Sequence, residues 1–152
     1  MNQVATPALI SAIMATIVST AFPASARDER LMFSIETALK TVEAQEKLDK
    51  GVKLYFGNQK YPKPVADLGE WSTNKKTNAF AKSDQEACEW VFLSAVLELQ
   101  ERARKQGGNA VINIRSNYKN AETASDTQFM CGAGNIMAGV ALKGTVVKLN
   151  GK

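Results

Sequence analysis

Two cysteines, Cys88 and Cys131, carry the most definite chemistry in this sequence. Cys88 lies in a segment whose apolar residues recur at helical spacing, and Cys131 ends a short run that is typical of a strand. In an oxidising compartment two such cysteines form a disulfide, which here would tie a helix to a sheet. Two free thiols and a redox pair are the alternatives, although the Cys-x-x-Cys spacing of many redox proteins is absent. The sequence therefore predicts a structural disulfide.

The chain of 152 residues contains no histidine, which limits the chemistry that it can perform. Histidine is the commonest general base and the commonest metal ligand, and two cysteines cannot complete a four-cysteine zinc site. Glu86 and Glu89 are the best candidates for a carboxylate acid–base pair, as in a hydrolase, but their spacing and basic neighbours are typical of a solvated helix face. We expect no catalytic residues, no metal and no cofactor, and therefore a protein that is not an enzyme.

Residues 57–82 form the longest stretch without a periodic apolar pattern, and they contain Pro62, Pro64 and Gly69. This composition predicts a long loop, and long loops in compact domains often carry function. The polar residues 71–78 are a candidate surface for a small ligand or a partner. The side chains that we single out there are Trp71, Asn74, Lys75, Lys76 and Asn78. The alternative is a loop that only covers one edge of a sheet.

The first 26 residues contain no Asp, Glu, Lys or Arg. The apolar run from Ala8 to Phe22 has the length of a signal-peptide core and is shorter than the ~20 residues of a membrane-spanning helix. A proline follows it, and then Ala24-Ser25-Ala26 matches the small-residue site of signal peptidase. We predict a signal peptide over 1–26 and one mature domain over 27–152, periplasmic or secreted and without a stable membrane anchor. A basic residue before the apolar run is missing, which is unusual for a signal peptide.

The net charge of +4 arises from cations and carboxylates that are interspersed along the chain. Nucleic-acid binding usually needs basic residues that cluster on one face. We therefore expect no nucleic-acid partner. A protein partner or a second copy of the chain is the more natural expectation.

The clearest element is a helix from Ser83 to Gln106, because Ser83 and Glu86 have the spacing of a capping box and two glycines follow the segment. One apolar stripe predicts the side that packs on the core: Cys88, Val91, Phe92, Ala95, Leu99 and Ala103. A second, smaller apolar patch lies opposite and consists of Trp90, Leu93 and Leu97. A helix that is apolar on two sides is either sandwiched within its own domain or used in an interface, and both readings remain open.

The other elements predict the fold class. Residues 30–50 read as one or two short helices, and strands are predicted over 52–56, 109–116, 127–131 and 136–149. Within 109–116 we expect Ala110, Ile112 and Ile114 to share one face. Gly139 and Gly144 interrupt the last strand and indicate bulges or close approach of another group. The order of helix, strand, loop, helix and three strands predicts an α+β fold, with one long helix on a small, mostly antiparallel sheet.

The region from Lys75 to Leu149 contains several runs that resemble one group of proteins. The runs are Lys76-Thr-Asn-Ala-Phe, Cys88-Glu-Trp90, Gly108-Asn-Ala-Val-Ile-Asn-Ile, Asn117-Tyr-Lys, and Cys131-Gly-Ala-Gly-Asn-Ile-Met-Ala-Gly-Val-Ala-Leu-Lys-Gly-Thr145. They resemble small exported bacterial proteins that are often labelled "excinuclease ATPase subunit". That label implies an ATPase, but this chain lacks the Walker motifs that such an activity requires.

The long helix, the Gly-Asn-Ala-Val run and the final strand with Gly-Thr are also similar, more distantly, to YbjQ-like proteins and the Rcs stress-sensor lipoprotein. This resemblance implies a small α+β domain, a disulfide between helix and strand, and protein–protein interaction rather than catalysis. YbjQ-like proteins form rings, which would make the Trp90, Leu93 and Leu97 patch an interface. The lipid-acceptor cysteine of the stress sensor has no counterpart here.

These expectations combine into one leading hypothesis for function. We expect an exported, non-catalytic envelope protein that interacts with a protein partner, forms a homo-oligomer or senses a signal. The first alternative is a protein that binds a small ligand through residues 71–78. The second alternative is a carboxylate-based hydrolase.

Overall fold

The computed structural model describes residues 27–150, so the predicted signal peptide over 1–26 lies outside the described residues. Within them the chain forms seven strands and three helices. The strands are β1 Glu29–Ser34, β2 Lys53–Phe56, β3 Pro64–Asn78, β4 Ala110–Tyr118, β5 Ala121–Thr123, β6 Gln128–Ala133 and β7 Met137–Leu149. The helices are α1 Ile35–Leu39, α2 Val42–Lys47 and α3 Asp84–Lys105.

The predicted fold class is wrong, because the structure is mostly sheet. Strands account for 45% of the described residues and helices for 27%, and all seven strands belong to one curled, mixed sheet. The predicted long loop over 57–82 is also wrong, since it contains the 15-residue strand β3. The start of the segment that we predicted as helix, 30–50, is strand β1, and only its remainder forms the short helices α1 and α2.

Strand β7 organises the sheet. Strand β3 pairs antiparallel along the whole of one edge of β7, from Pro64 opposite Leu149 to Asn78 opposite Met137. The other edge of β7 is shared by β6 at its start and β4 further along. Strand β1 continues the sheet beyond β6, while β4 carries β5 and the parallel strand β2. The β2–β4 pair makes the sheet mixed rather than mostly antiparallel.

Helix α3 packs on one face of this sheet, as its apolar stripe predicted. The Ser83 hydroxyl accepts a hydrogen bond of 3.1 Å from the Glu86 amide, and Gly107, with φ of 77°, follows the helix end. Phe92 stacks on Phe129 of β6 with ring centres 4.0 Å apart. The buried side chain of Gln100 makes three hydrogen bonds of 2.9–3.0 Å to the backbone of residues 49 and 52, which fixes the approach to β2. We call this side of the sheet the helix face and the opposite side the outer face.

Strand β4 changes face at Asn113, which corrects the predicted alternation. Asn113 has φ of 52°, and the pairing of β4 with β7 shifts between Ile112 and Arg115. This bulge inserts one extra residue, so Ile114 packs under α3 whereas Ile112 packs on the outer face. There Ala110 and Ile112 form a second small core with Val147, Leu149, Tyr55 and Tyr61.

The predicted disulfide between Cys88 and Cys131 is confirmed. It joins the first turns of α3 to β6, with 5.9 Å between the two Cα atoms, and both residues are fully buried. A structural disulfide is compatible with an exported protein. None of the helices within residues 27–150 combines the length and the apolar character that crossing a membrane requires.

Candidate functional site

A cleft of about 560 Å³ opens on the outer face, where β6 meets β7. Two glycines from these paired strands form its floor, Gly132 directly opposite Gly139. Tyr118, at the end of β4, and Lys76, on the edge strand β3, line it as well. We call this the outer cleft.

The two floor glycines differ in what lies above them. A Cβ atom at Gly132 would come within 2.0 Å of the Tyr118 Oη atom and 2.1 Å of its Cζ atom, so the tyrosine ring occupies that space. A Cβ atom at Gly139 would meet nothing closer than 3.5 Å. Glycine is therefore required at 132 by the packing of Tyr118, whereas an added Cβ atom at 139 would only make ordinary van der Waals contacts.

A tight hairpin between β4 and β5 positions Tyr118. Lys119 and Asn120 both have positive φ, 51° and 61°, which is the conformation of a type I′ turn. The Tyr118 hydroxyl donates a hydrogen bond of 2.9 Å to Asp28, and Lys119 forms an ion pair with the same carboxylate. Burial, followed by the bond to Asp28, raises the pKa of Tyr118 above its usual value. The hydrogen bonds from Lys119 and Tyr118 lower the pKa of Asp28. The hydroxyl is therefore held as a neutral donor.

The charged residues around the outer cleft are three cations and one carboxylate. The carboxylate, Asp28, is occupied by Tyr118 and Lys119. Arg27 pairs with Asp84 at 2.5 Å and with Glu29 at 3.0 Å. Lys76 forms no ion pair with any residue of 27–150. Arg27 and Lys119 are thus paired with neighbouring carboxylates, and Lys76 is the lining cation that is free to meet a ligand.

An apolar lip borders the mouth of the outer cleft. Ile136 and Met137 line it and expose 66% and 47% of their surface. Phe80 is exposed as well, and the amide of its neighbour Ala79 donates a 2.7 Å hydrogen bond to the Ile136 carbonyl. The cleft therefore offers a polar, cationic wall and an apolar rim.

The predicted ligand residues of 71–78 lie on strand β3, and the alternation of the strand divides them between the two faces. Asn74 and Lys76 line the outer cleft. Lys75 points to the helix face, where its ammonium group lies 2.8 Å from Glu98, and the Trp71 ring lies there under Arg102 at 4.3 Å. The Asn78 side chain accepts a 2.8 Å hydrogen bond from the Phe80 amide and so shapes the turn after β3. Of the residues predicted over 71–78, two thus line the cleft. The sequence did not predict that Tyr118, Gly132 and Gly139 would line it with them.

The three residues of the predicted interface patch differ in exposure. Leu93 is buried at 5% exposure and Leu97 is half-buried. Trp90 is 48% exposed, with the Lys47 ammonium group of α2 4.9 Å from its ring centre. Lys47 of α2 thus lies beside this side of α3 while Trp90 stays exposed, and the use of the patch as an interface stays a prediction.

Further along the outer face, two cations and two carboxylates from four neighbouring strands form a closed network. Arg115 lies 2.7 Å from Glu70 and 2.6 Å from Glu122, and Lys143 lies 2.8 Å and 2.9 Å from the same two carboxylates. The hydrogen bonds from Arg115 and then Lys143 lower the pKa of Glu122 from 4.5 to about 2. Those from Lys143 and Arg115 also lower the pKa of Glu70. The network joins β3, β7, β4 and β5.

We predict that Glu122→Gln makes the free energy of unfolding less sensitive to acid. A carboxylate whose folded pKa is lowered stabilises the fold above its unfolded pKa of 4.5 and loses that contribution as the pH falls towards 2. The free energy of unfolding, measured with urea, should therefore fall more steeply for the wild type than for the variant as the pH is lowered over this interval. Glu46→Gln, at an exposed carboxylate without an ion pair in residues 27–150, is the control. Equal slopes for wild type and Glu122→Gln would contradict the prediction.

Comparison with known proteins does not identify a family. No family model matches the chain, and neither a curated protein nor a solved structure shows significant similarity to it. The resemblances to exported bacterial proteins and to YbjQ-like domains therefore stay predictions. Residues 27–150 hold no cluster of three or more His, Cys, Asp or Glu side chains that could bind a metal.

Proposed function

We propose that this chain is an exported, non-catalytic binding protein that holds a small molecule in the outer cleft. The observation that carries the proposal is the cleft itself, about 560 Å³ in volume, with Gly139 in its floor and Tyr118 and Lys76 in its lining. Small-molecule sites are concave, have volumes of roughly 300–1,000 Å³, and combine an apolar lining with a few placed polar groups. The outer cleft has these features.

The outer cleft is also held in shape before any ligand binds. Its floor is part of a sheet ladder, and its tyrosine wall is fixed by the hydrogen bond to Asp28 and by the tight β4–β5 turn. A preformed site loses less conformational entropy on binding than one that must be ordered. This rigidity supports a binding role for the cleft.

The proposal includes the predicted route out of the cytoplasm. We propose that residues 1–26 are removed as a signal peptide and that the mature chain works in the periplasm or outside the cell. The Cys88–Cys131 disulfide supports this, because such bonds persist in oxidising compartments. The role in protein–protein interaction or sensing that the sequence led us to expect remains a separate prediction.

The proposal predicts where bound molecules will be found. The mature chain, residues 27–152, contains every described strand and helix and can be labelled with 15N. A chemically diverse fragment panel should yield binders that shift the amide signals of Gly132, Gly139 and their neighbours. Gly139→Leu should abolish these shifts, because its side chain would project into the cleft. The matched variant Gly51→Leu, at an exposed turn, should leave them unchanged.

Two outcomes would contradict ligand binding in this cleft. One is a panel without binders. The other is a set of binders whose shifts map elsewhere and persist in Gly139→Leu. Thermal melts of both variants by circular dichroism show whether the leucine has unfolded the sheet instead of blocking the cleft.

A further inference from the structure

We infer that the outer cleft selects a planar anionic group, which inserts edge-on above Gly139 between Tyr118 and Lys76. This inference rests on the proposed function and specifies the class of ligand. Three observations support it. The space above Gly139 is narrow, an unpaired lysine borders it, and the fold does not require glycine at position 139.

The space above Gly139 is narrow at its base. An atom at the Cβ position would lie 3.8 Å from Tyr118 Cε2 and 3.7 Å from Lys76 Cγ, which are ordinary van der Waals distances. The two walls stand on opposite sides of β7, because Lys76 belongs to β3 and the Tyr118 ring covers Gly132 of β6. An aromatic ring or a conjugated carboxylate can stand in such a slot, whereas a tetrahedral chain with its hydrogens is thicker.

The fold itself does not explain a glycine at 139. Its φ is not in the positive region that favours glycine, and an added Cβ would meet no atom closer than 3.5 Å. Glycine within a strand loses conformational entropy and contributes no side-chain packing, so it weakens the strand. Gly132, in contrast, is required by the Tyr118 ring. Space for a ligand would explain why residue 139 is glycine, which the packing of the free protein does not explain.

The charges favour an anion in this slot. The Lys76 side chain forms one wall with its methylene groups, while its ammonium group has no ion-pair partner in residues 27–150. Lys119 and Arg27 border the same cleft, and the carboxylate of Asp28 is already held by Tyr118 and Lys119. A cationic ligand would meet the unpaired ammonium group of Lys76, and the Asp28 carboxylate is not free to receive it. An anion would gain a charge-assisted hydrogen bond from Lys76.

The apolar lip determines what else the ligand can carry. Ile136 and Met137 border the mouth of the cleft, so an apolar ring next to the anionic group would be sheltered from water. The chemical class that fits is an aromatic or conjugated carboxylate with an apolar body. 2-Naphthoate is a simple probe of this class.

Three matched probes test the inference by isothermal titration calorimetry on the mature chain. 2-Naphthoate is planar and anionic, 2-naphthylmethanol is planar and neutral, and decanoate is anionic and flexible. We expect 2-naphthoate to bind about tenfold or more tightly than either of the others, as one charged hydrogen bond or a close steric fit would give. A 2-naphthoate affinity no higher than that of 2-naphthylmethanol or of decanoate, with shifts at Gly139, would overturn the planar-anion inference and leave cleft binding intact.

Two variants separate shape from charge. Gly139→Ala fills the slot with a methyl group that the free protein accommodates, and should weaken 2-naphthoate about tenfold or more. Lys76→Met keeps the methylene wall and removes the charge, so the affinity for 2-naphthoate should fall to that for 2-naphthylmethanol.

Gly51→Ala and Lys148→Met are the remote controls. Unchanged 2-naphthoate affinity in Gly139→Ala or Lys76→Met would overturn the inference, whereas no binding of any probe or fragment would overturn the proposed function too.

Discussion

Replacing Cys88 and Cys131 together by alanine should lower the free energy of unfolding by about 4 kcal/mol. The bond spans 43 residues, and the chain-entropy model gives a loop of this length a contribution of about that size. Both sulfur atoms are buried between α3 and β6, so the smaller alanines also remove packing around Phe92 and Phe129.

Urea unfolding measures this loss in two ways. The double variant and the reduced wild type should both unfold at much lower urea concentration than the oxidised wild type. The reduced wild type keeps both sulfur atoms, so its difference from the double variant isolates the packing contribution. A reduced wild type as stable as the oxidised protein would show that the cross-link contributes little.

Gly132→Ala should both destabilise the fold and open the tyrosine side of the outer cleft. The new methyl group would overlap the Tyr118 ring, whose Oη and Cζ atoms lie 2.0 Å and 2.1 Å from its position. The ring must move away, which breaks its hydrogen bond to Asp28 and exposes its apolar face. Overpacking of this kind costs about 1–3 kcal/mol. We also expect weaker binding of 2-naphthoate, because the slot loses a wall.

A double-mutant cycle with Tyr118→Ala tests the cause. Gly132→Ala should cost little stability when Tyr118 is already alanine, because the overlapping ring is gone. Gly139→Ala, at the opposite glycine of the same pair of strands, should cost far less than Gly132→Ala in the wild type. Equal costs of Gly132→Ala with and without the tyrosine would contradict the assigned contact.

The sequence was sufficient to predict α3 and the disulfide because both depend on local signals. The capping pair Ser83 and Glu86, the apolar stripe and the two following glycines define the helix without reference to the rest of the chain. Two cysteines allow one intramolecular pairing, and the predicted export signal indicated an oxidising compartment. The structure confirms both the helix and the disulfide.

Strands β1 and β3 could not be predicted in the same way, because both are edge strands. β3 alternates between half-buried and exposed residues and includes Pro64, Gly69 and two adjacent lysines, which resemble a loop in composition. Its strand conformation depends on pairing with β7, whose residues follow their β3 partners by 59 to 85 positions in the sequence. The fold class was wrong for this reason, since missing these strands made the sheet too small.

The outer cleft was predictable only in part. Asn74 and Lys76 were named from composition, and Gly139 was expected to mark a bulge or a close approach. The cleft exists because β3, β6 and β7 are neighbours and because the β4–β5 hairpin places Tyr118 over Gly132. No local pattern indicates which residues such long-range pairings will bring together.

Intermolecular nuclear Overhauser effects between 2-naphthoate and the labelled mature chain locate the bound probe in the outer cleft or outside it. We expect contacts from the ring protons of the probe to the α protons of Gly139, the Tyr118 ring and the side-chain methylenes of Lys76. Contacts to the exposed face of Trp90 or to another surface, with none at Gly139, would contradict this expectation.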